Sequence, residues 1–174
     1  IYKVSDKLID MFSSFKHFFA DKISFTVQHK MIYSNAIKIS NDNFWFGIGP
    51  KMFRKICLDD RYVSSSNIDK TINGCQTHPH NTYIQIITET GIFGFIFLLF
   101  IFSFVCFRLI GFLISKFSKQ FIQNDVILCL YICLFLTLWP IMPTGNFFHN
   151  WLNIIYFLPI GFILNIKNIN TNNN

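Results

Sequence analysis

Charge is what this sequence has least of. Asp, Glu, Lys and Arg together make up 14% of its 174 residues, where an ordinary soluble domain carries about a quarter. With 52% hydrophobic residues, 18% aromatic residues and a mean hydropathy of +0.40, the shortage excludes a typical water-soluble domain and an acidic disordered chain. A membrane protein is the expected class. Acidic residues are the scarcer sign, 9 against 15 basic ones. The resulting net charge of +6 suits anionic headgroups or a diphosphate, and no nucleic-acid motif accompanies it. Internal repeats and standard zinc spacings are also missing. The chain starts at Ile1 without an initiator Met, a basic n-region or a cleavage-site pattern. It is therefore expected to be the C-terminal part of a larger membrane protein.

What is present is concentrated apolar sequence. No charge occurs between Gly91 and Phe107. The run from Gly91 to Ile114 is about 24 residues, and at ~1.5 Å rise it covers about 36 Å, enough for a ~30 Å hydrocarbon core. Arg108, near its far end, is placed to snorkel toward headgroups. A polar stretch with Lys116 and Lys119 leads to a second apolar segment, Val126 to Pro143. The turn "PTGNFFHN" then precedes a third, Trp151 to Ile166, bracketed by Trp151 and Lys167 as interfacial anchors. Cys106, Cys129 and Cys133 fall inside these segments and read as small buried apolar residues.

The expected fold is all-α: a polytopic membrane helical protein with about three transmembrane helices in 91–166, a large extracytoplasmic helical loop region in 1–90, and a disordered polar tail in 167–174. The positive-inside rule puts Lys116, Lys119 and Lys167 on the cytoplasmic side and the His78/His80 region outside. Eleven of the fifteen Lys and Arg residues precede His78, but long translocated segments are largely exempt from that rule.

Within 1–90, "MFSSFKHFF" spaces Met11, Phe15 and Phe18, and "MIYSNAIKI" spaces Met31, Ala36 and Ile37, as amphipathic helices do. "SNDNFWFGIGP" breaks the periodicity as a loop. Lys51, Arg54 and Lys55 form a basic patch, and "DDRYVSSSNIDKTINGCQT" is polar and turn-rich.

The stretch "CQTHPHNTYIQIITETGIFGFIFLLF" carries the chemistry. Pro79 suits the first turn of a helix capped by Thr77 or His78. On such a helix His80, Ile84, Ile87, Gly91 and Gly94 share one stripe, and Asn81, Gln85 and Glu89 an adjacent polar one. Gly91 and Gly94 leave room for another helix or a lipid-linked ligand. Two readings of Cys75 stand side by side. With His78, His80 and His149 it makes a metal cluster of unusual spacing. With Cys57, on the same extracytoplasmic side, it makes a disulfide worth ~3 kcal/mol.

"HN" at 80–81, nine residues, then "GIFG" at 91–94 resembles the H[NSQ]-x9-G-x-x-G signature of bacterial O-antigen ligases and related O-antigen polymerases. "NDNFWFGIGPKMF" is similar to the family's Gly-x-Gly-Pro segment, and "NFFHNWLNIIYFLPIGFIL" to its final loop and last helix. The resemblance implies a membrane glycosyltransferase of the bacterial inner membrane, multi-pass, metal-independent, inverting and without cofactors. Its donor is a glycan on undecaprenyl diphosphate, used at the periplasmic face, and its acceptor is lipid A-core. An O-antigen polymerase would extend another lipid-linked repeat instead. The resemblance makes His80 the base for the acceptor hydroxyl and Arg54 the cation facing the leaving diphosphate. Asn81, Arg61, Lys55, Gln85 and Glu89 are implied as substrate-binding residues. Members carry an arginine upstream, where "VQHKMIYSNA" offers Lys30 or His29 as the stand-in cation. They also have further spans upstream, so the fragment alone is expected to be inactive. Outside the family, a transporter or flippase fragment and a noncatalytic lipid- or partner-binding membrane protein remain the competing classes; neither requires the His motif.

Overall fold

A computed structural model of the chain describes residues 9–18, 26–63, 74–117 and 125–172. Among them there is no strand, and the fold is all-α. The helices are α1 (9–18), α2 (Val27–Asp42), α3 (Phe53–Ile56), α4 (Thr82–Phe117), α5 (Asp125–Thr137) and α6 (Asn150–Asn172). They divide into two compact units. Ile1–Ile96 with Pro140–Phe148 form one, and Phe97–Trp139 with His149–Asn174 form the other.

The first unit is organised around α2. Thr26 caps it, its hydroxyl accepting from His29 N–H at 3.2 Å. Ile32, Tyr33, Ala36, Ile37 and Ile39 are buried against Phe53, Cys57, Tyr62 and Ile84. A run of apolar residues at helical spacing thus becomes the core of the unit, contributing roughly 1.5–3 kcal/mol for each large side chain buried. Cys57 and Cys75 are joined by a disulfide. That settles the choice left open by the sequence, because a bridged Cys75 has no thiolate to give a metal. Residues 64–73, most of the polar loop that the bridge closes, lie outside the described residues.

A backbone interlock fixes the unit's most unusual feature. Helix α4 is broken at Gly91, whose φ of 71° and ψ of −165° are non-helical. The loop after α2 crosses the break: Ile92 N–H donates to Phe44 O (2.9 Å), Ile48 N–H to Thr88 O (3.1 Å) and Gly49 N–H to Glu89 O (2.9 Å). These bonds satisfy backbone groups that the kink and loop would otherwise leave unpaired. Gly47 lies so close that a Cβ there would sit 2.5 Å from Glu89 C and Thr90 N. The room expected at Gly91 for a helix or ligand is therefore filled by the protein's own loop, and that at Gly94 by the Thr90 side chain.

Several expectations are corrected here. Pro79 does not open a helix, and neither Thr77 nor His78 caps one. The helix starts at Thr82 with Asn81 as its cap, Oδ1 accepting from Tyr83 N–H (3.0 Å) and Ile84 N–H (3.1 Å). His80 is consequently off the helix and shares no stripe with Ile84. Helix α1 is amphipathic as its spacing implies, and its apolar stripe lies on the outside. Met11, Phe15 and Phe18 are exposed, whereas Lys16 is buried and donates to Ser40 Oγ (2.8 Å) and Asn41 Oδ1 (2.6 Å). Burial lowers the Lys16 pKa to about 8.

In the second unit, Val105, Ile127, Tyr131, Leu134 and Ile163 form a core. Of the three apolar segments, α4 over Thr82–Ile114 is long and apolar enough to cross a membrane. Helix α5 ends at Thr137 instead of reaching Pro143, as Pro140 and Pro143 cannot extend it. Asp125–Thr137 and Asn150–Ile166 are shorter apolar helices. Cys129 and Cys133 are exposed on α5, not buried. The Arg108 guanidinium lies over the Phe112 and Tyr131 rings, at 5.5 and 5.7 Å. The polar tail expected at 167–174 continues α6 as helix to Asn172, since propagating an existing helix costs far less than nucleating one.

Candidate functional site

The sequence motif folds into a histidine cluster at the start of α4. His80 adopts φ 55°, the left-handed region that non-glycine residues enter only at a cost. Hydrogen bonds on both sides flank this conformation: Thr144 N–H donates to His80 O at 2.9 Å, and Asn81 caps the helix that follows. The turn aims the His80 ring at two other imidazoles. His78 lies 4.1 Å away and His29, from the first turn of α2, 6.0 Å away, centroid to centroid.

The surroundings of His78 and His80 favour neutral rings. Burial, then the neighbouring His80 ring, pushes the His78 pKa down to about 4 against a weaker opposing pull from the Thr144 backbone. Burial, then His29, lowers that of His80. A neutral imidazole keeps a lone pair and can accept a proton. Because His78 prefers to stay neutral when folded, the unfolded chain binds the extra proton between the usual 6.5 and about 4. Folding stability is thus complete above 6.5 and falls as pH drops toward 4. In denaturant titrations across that range, His78→Gln is expected to flatten the slope; an unchanged slope would refute the burial of a neutral His78.

The polar stripe below the cluster is committed to structure. Asn81 Nδ2 donates to Pro140 O at 2.8 Å, and to Met142 O at 3.4 Å. Gln85 Nε2 donates to Asn146 Oδ1 (2.8 Å) and to Glu89 Oε2 (3.0 Å), while its Oε1 accepts from Phe147 N–H (2.9 Å). Glu89, fully buried, accepts from Phe53 N–H at 3.2 Å. All three side chains pin the 140–148 segment and the start of α3 onto α4, so their polar atoms are occupied by the fold itself.

The cations fall on exposed surface. Arg54 and Lys55 are exposed on α3, and Lys30 is exposed on α2. Arg61 closes its fork on Asp59, with Nη2 to Oδ2 at 2.7 Å and Nε to Oδ1 at 3.0 Å. These bonds hold the Asp59 carboxyl down at about 2. An anion bound at Arg61 therefore has to displace Asp59. His29, Thr144 and Asn146 complete the arrangement. His29 had surfaced in the sequence only as a stand-in cation, and no spacing links it to His80.

Comparison with known protein families returns a match over the first part of the chain. Residues 3–99 match the family described as O-antigen ligase. No curated protein and no solved structure matches the chain. The match covers the Gly-x-Gly-Pro loop, the histidine turn and the Gly91 break that the structure locks together. It extends over more than half of the chain, and the chain belongs to the O-antigen ligase family.

Proposed function

We propose that this chain contributes the catalytic base of a membrane glycosyltransferase of the ligase type. It transfers a glycan from undecaprenyl diphosphate to a hydroxyl of lipid A-core at the periplasmic face of the bacterial inner membrane. The observation that carries this reading is the division of labour within one motif. Asn81, Gln85 and Glu89 are consumed by the fold, whereas the His80 ring, half-buried, has no hydrogen bond among the described residues and is held at a strained φ.

In the proposed step the acceptor oxygen attacks the anomeric carbon as His80 takes its proton. The bond from that carbon to the diphosphate oxygen breaks, and a single displacement inverts the centre. A base of lowered pKa is neutral at physiological pH and ready for this role. Arg54, assisted by Lys55 and Lys30, is assigned to the charge that grows on the departing diphosphate, where a guanidinium fork fits two oxygens at once. Arg61 joins them only after releasing Asp59. The step needs a base and cations, which side chains supply. If the acceptor is a second lipid-linked repeat, the same chemistry extends a chain instead.

The test is His80→Ala in the full-length protein. Glycan transfer is expected to fall by at least about 100-fold, the usual contribution of a positioned base, with expression and lipid-linked donor unchanged. Retained transfer overturns the assignment and leaves a transporter or noncatalytic role. Loss of attachment with normal chain length identifies a ligase; loss of chain extension identifies a polymerase.

A further inference from the structure

The first unit carries large apolar side chains on its outside. In the turn that crosses the α4 break, Phe44 is buried, touching Phe12 of α1 at 5.8 Å and Trp45 at 5.1 Å between ring centroids. The next rings face outward: Trp45 is 45% exposed, Phe46 79% and Phe93 56%. They nevertheless form one patch, with Phe93 lying 6.2 Å from Trp45 and 5.5 Å from Phe46. The Gly47 and Gly91 interlock fixes the backbone beneath them, so the patch is presented rigidly.

Helix α1 carries an exposed apolar stripe of its own. Its exposed stripe at Met11, Phe15 and Phe18 follows i, i+4, i+7 spacing, while its inner face holds the buried Lys16 beside the half-buried Ile9 and Phe12. A helix that exposes three large apolar side chains while burying an ammonium group is poorly suited to water. It suits a surface whose outside is lipid.

We infer that Met11, Trp45, Phe46 and Phe93, with the outer face of α1, seat the first unit in the interfacial layer of a lipid bilayer. Three observations favour lipid over a protein partner. Phe93 lies within Thr82–Ile114, the helix long and apolar enough to cross a membrane, so the patch includes a side chain of a hydrocarbon-suited segment. Trp and flanking aromatic rings prefer the zone where acyl chains meet headgroups. Lys51, Arg54 and Lys55, all exposed, follow within ten residues of Trp45 and supply the charge that anionic headgroups attract. The seating goes beyond the transferase reading and does not depend on it, although it would hold the His80 turn near a lipid-borne substrate.

The experiment places the full chain in phosphatidylcholine–phosphatidylglycerol vesicles whose acyl chains carry bromine near the headgroup. Trp45 emission is taken as the difference between the wild type and Trp45→Phe, which keeps an aromatic ring on Phe93. The difference signal is expected to lose at least about half its intensity in brominated lipid, as an interfacial indole should. No quenching by bromolipid overturns the inference, whether or not aqueous iodide quenches instead. A second measurement needs no variant: acyl-chain diazirine lipids should label peptides covering 9–18 and 43–46. Labels confined to 92–166 overturn it independently. Neither readout involves glycan transfer, so failure here is distinguishable from failure of the proposed activity.

Discussion

Gly91→Ala is expected to cost on the order of 3–5 kcal/mol and to leave much of the protein unfolded or degraded. Two costs combine. The backbone at φ 71°, ψ −165° lies in a region open essentially to glycine alone, worth roughly 1–3 kcal/mol of strain for any other residue. The new Cβ would also press on Trp45 O, and lie 2.5 Å from Trp45 C and 2.6 Å from Phe46 N. These are main-chain atoms, which no rotamer change can move aside. Gly47→Ala is expected to do similar damage from the opposite side, against Glu89 C, Thr90 N and Gly91 N. Since either substitution forces the same two segments apart, the double variant should lose less than the sum of the singles. Denaturant melts of the three variants check this. Strict additivity would mean that the two glycines do not share one contact.

Loss of the disulfide is expected to have the next largest effect. The bridge joins cysteines separated by 18 positions, a loop for which the chain-entropy model gives about 3 kcal/mol. Cys57 is wholly buried in the core of the first unit, and Asn35 Nδ2 lies 3.6 Å from both sulfurs. Replacing both cysteines by Ser also buries a hydroxyl where sulfur now sits, a further cost unless it finds a partner. The Cys57→Ser/Cys75→Ser variant should therefore melt at lower denaturant, and dithiothreitol should move the wild type toward it but leave the variant unchanged. An equal response of both proteins to dithiothreitol would show that another thiol reaction is being measured.

The helical class was legible because it rests on periodicity. Met31, Ala36 and Ile37 at helical spacing predict α2, and all three are buried in it. The family motif was legible because it is contiguous, whereas the pairing of Cys57 with Cys75 was only one of two open readings until the fold joined them. The same local logic left the orientation of α1 open. Spacing at Met11, Phe15 and Phe18 reveals an apolar face without revealing which way it points, and the hydrogen bonds of Lys16 to Ser40 and Asn41, far along the chain, turned it outward. The helix start was misread for a related reason. Pro79 suits a first turn, but the cap is decided by which side chain can both bond Tyr83 and Ile84 and anchor Pro140, and that is Asn81.

By itself the sequence determined the helices, the long apolar span and the family, since each is written in neighbouring residues. Only the tertiary structure decided what the motif residues do. It brought His29 across more than fifty positions to within 6.0 Å of His80, placed Gly47 against Gly91, and gave Asn81, Gln85 and Glu89 to the 140–148 segment and α3. Those outcomes depend on contacts between segments distant in the chain, where packing and hydrogen-bond satisfaction, not local spacing, select the partner.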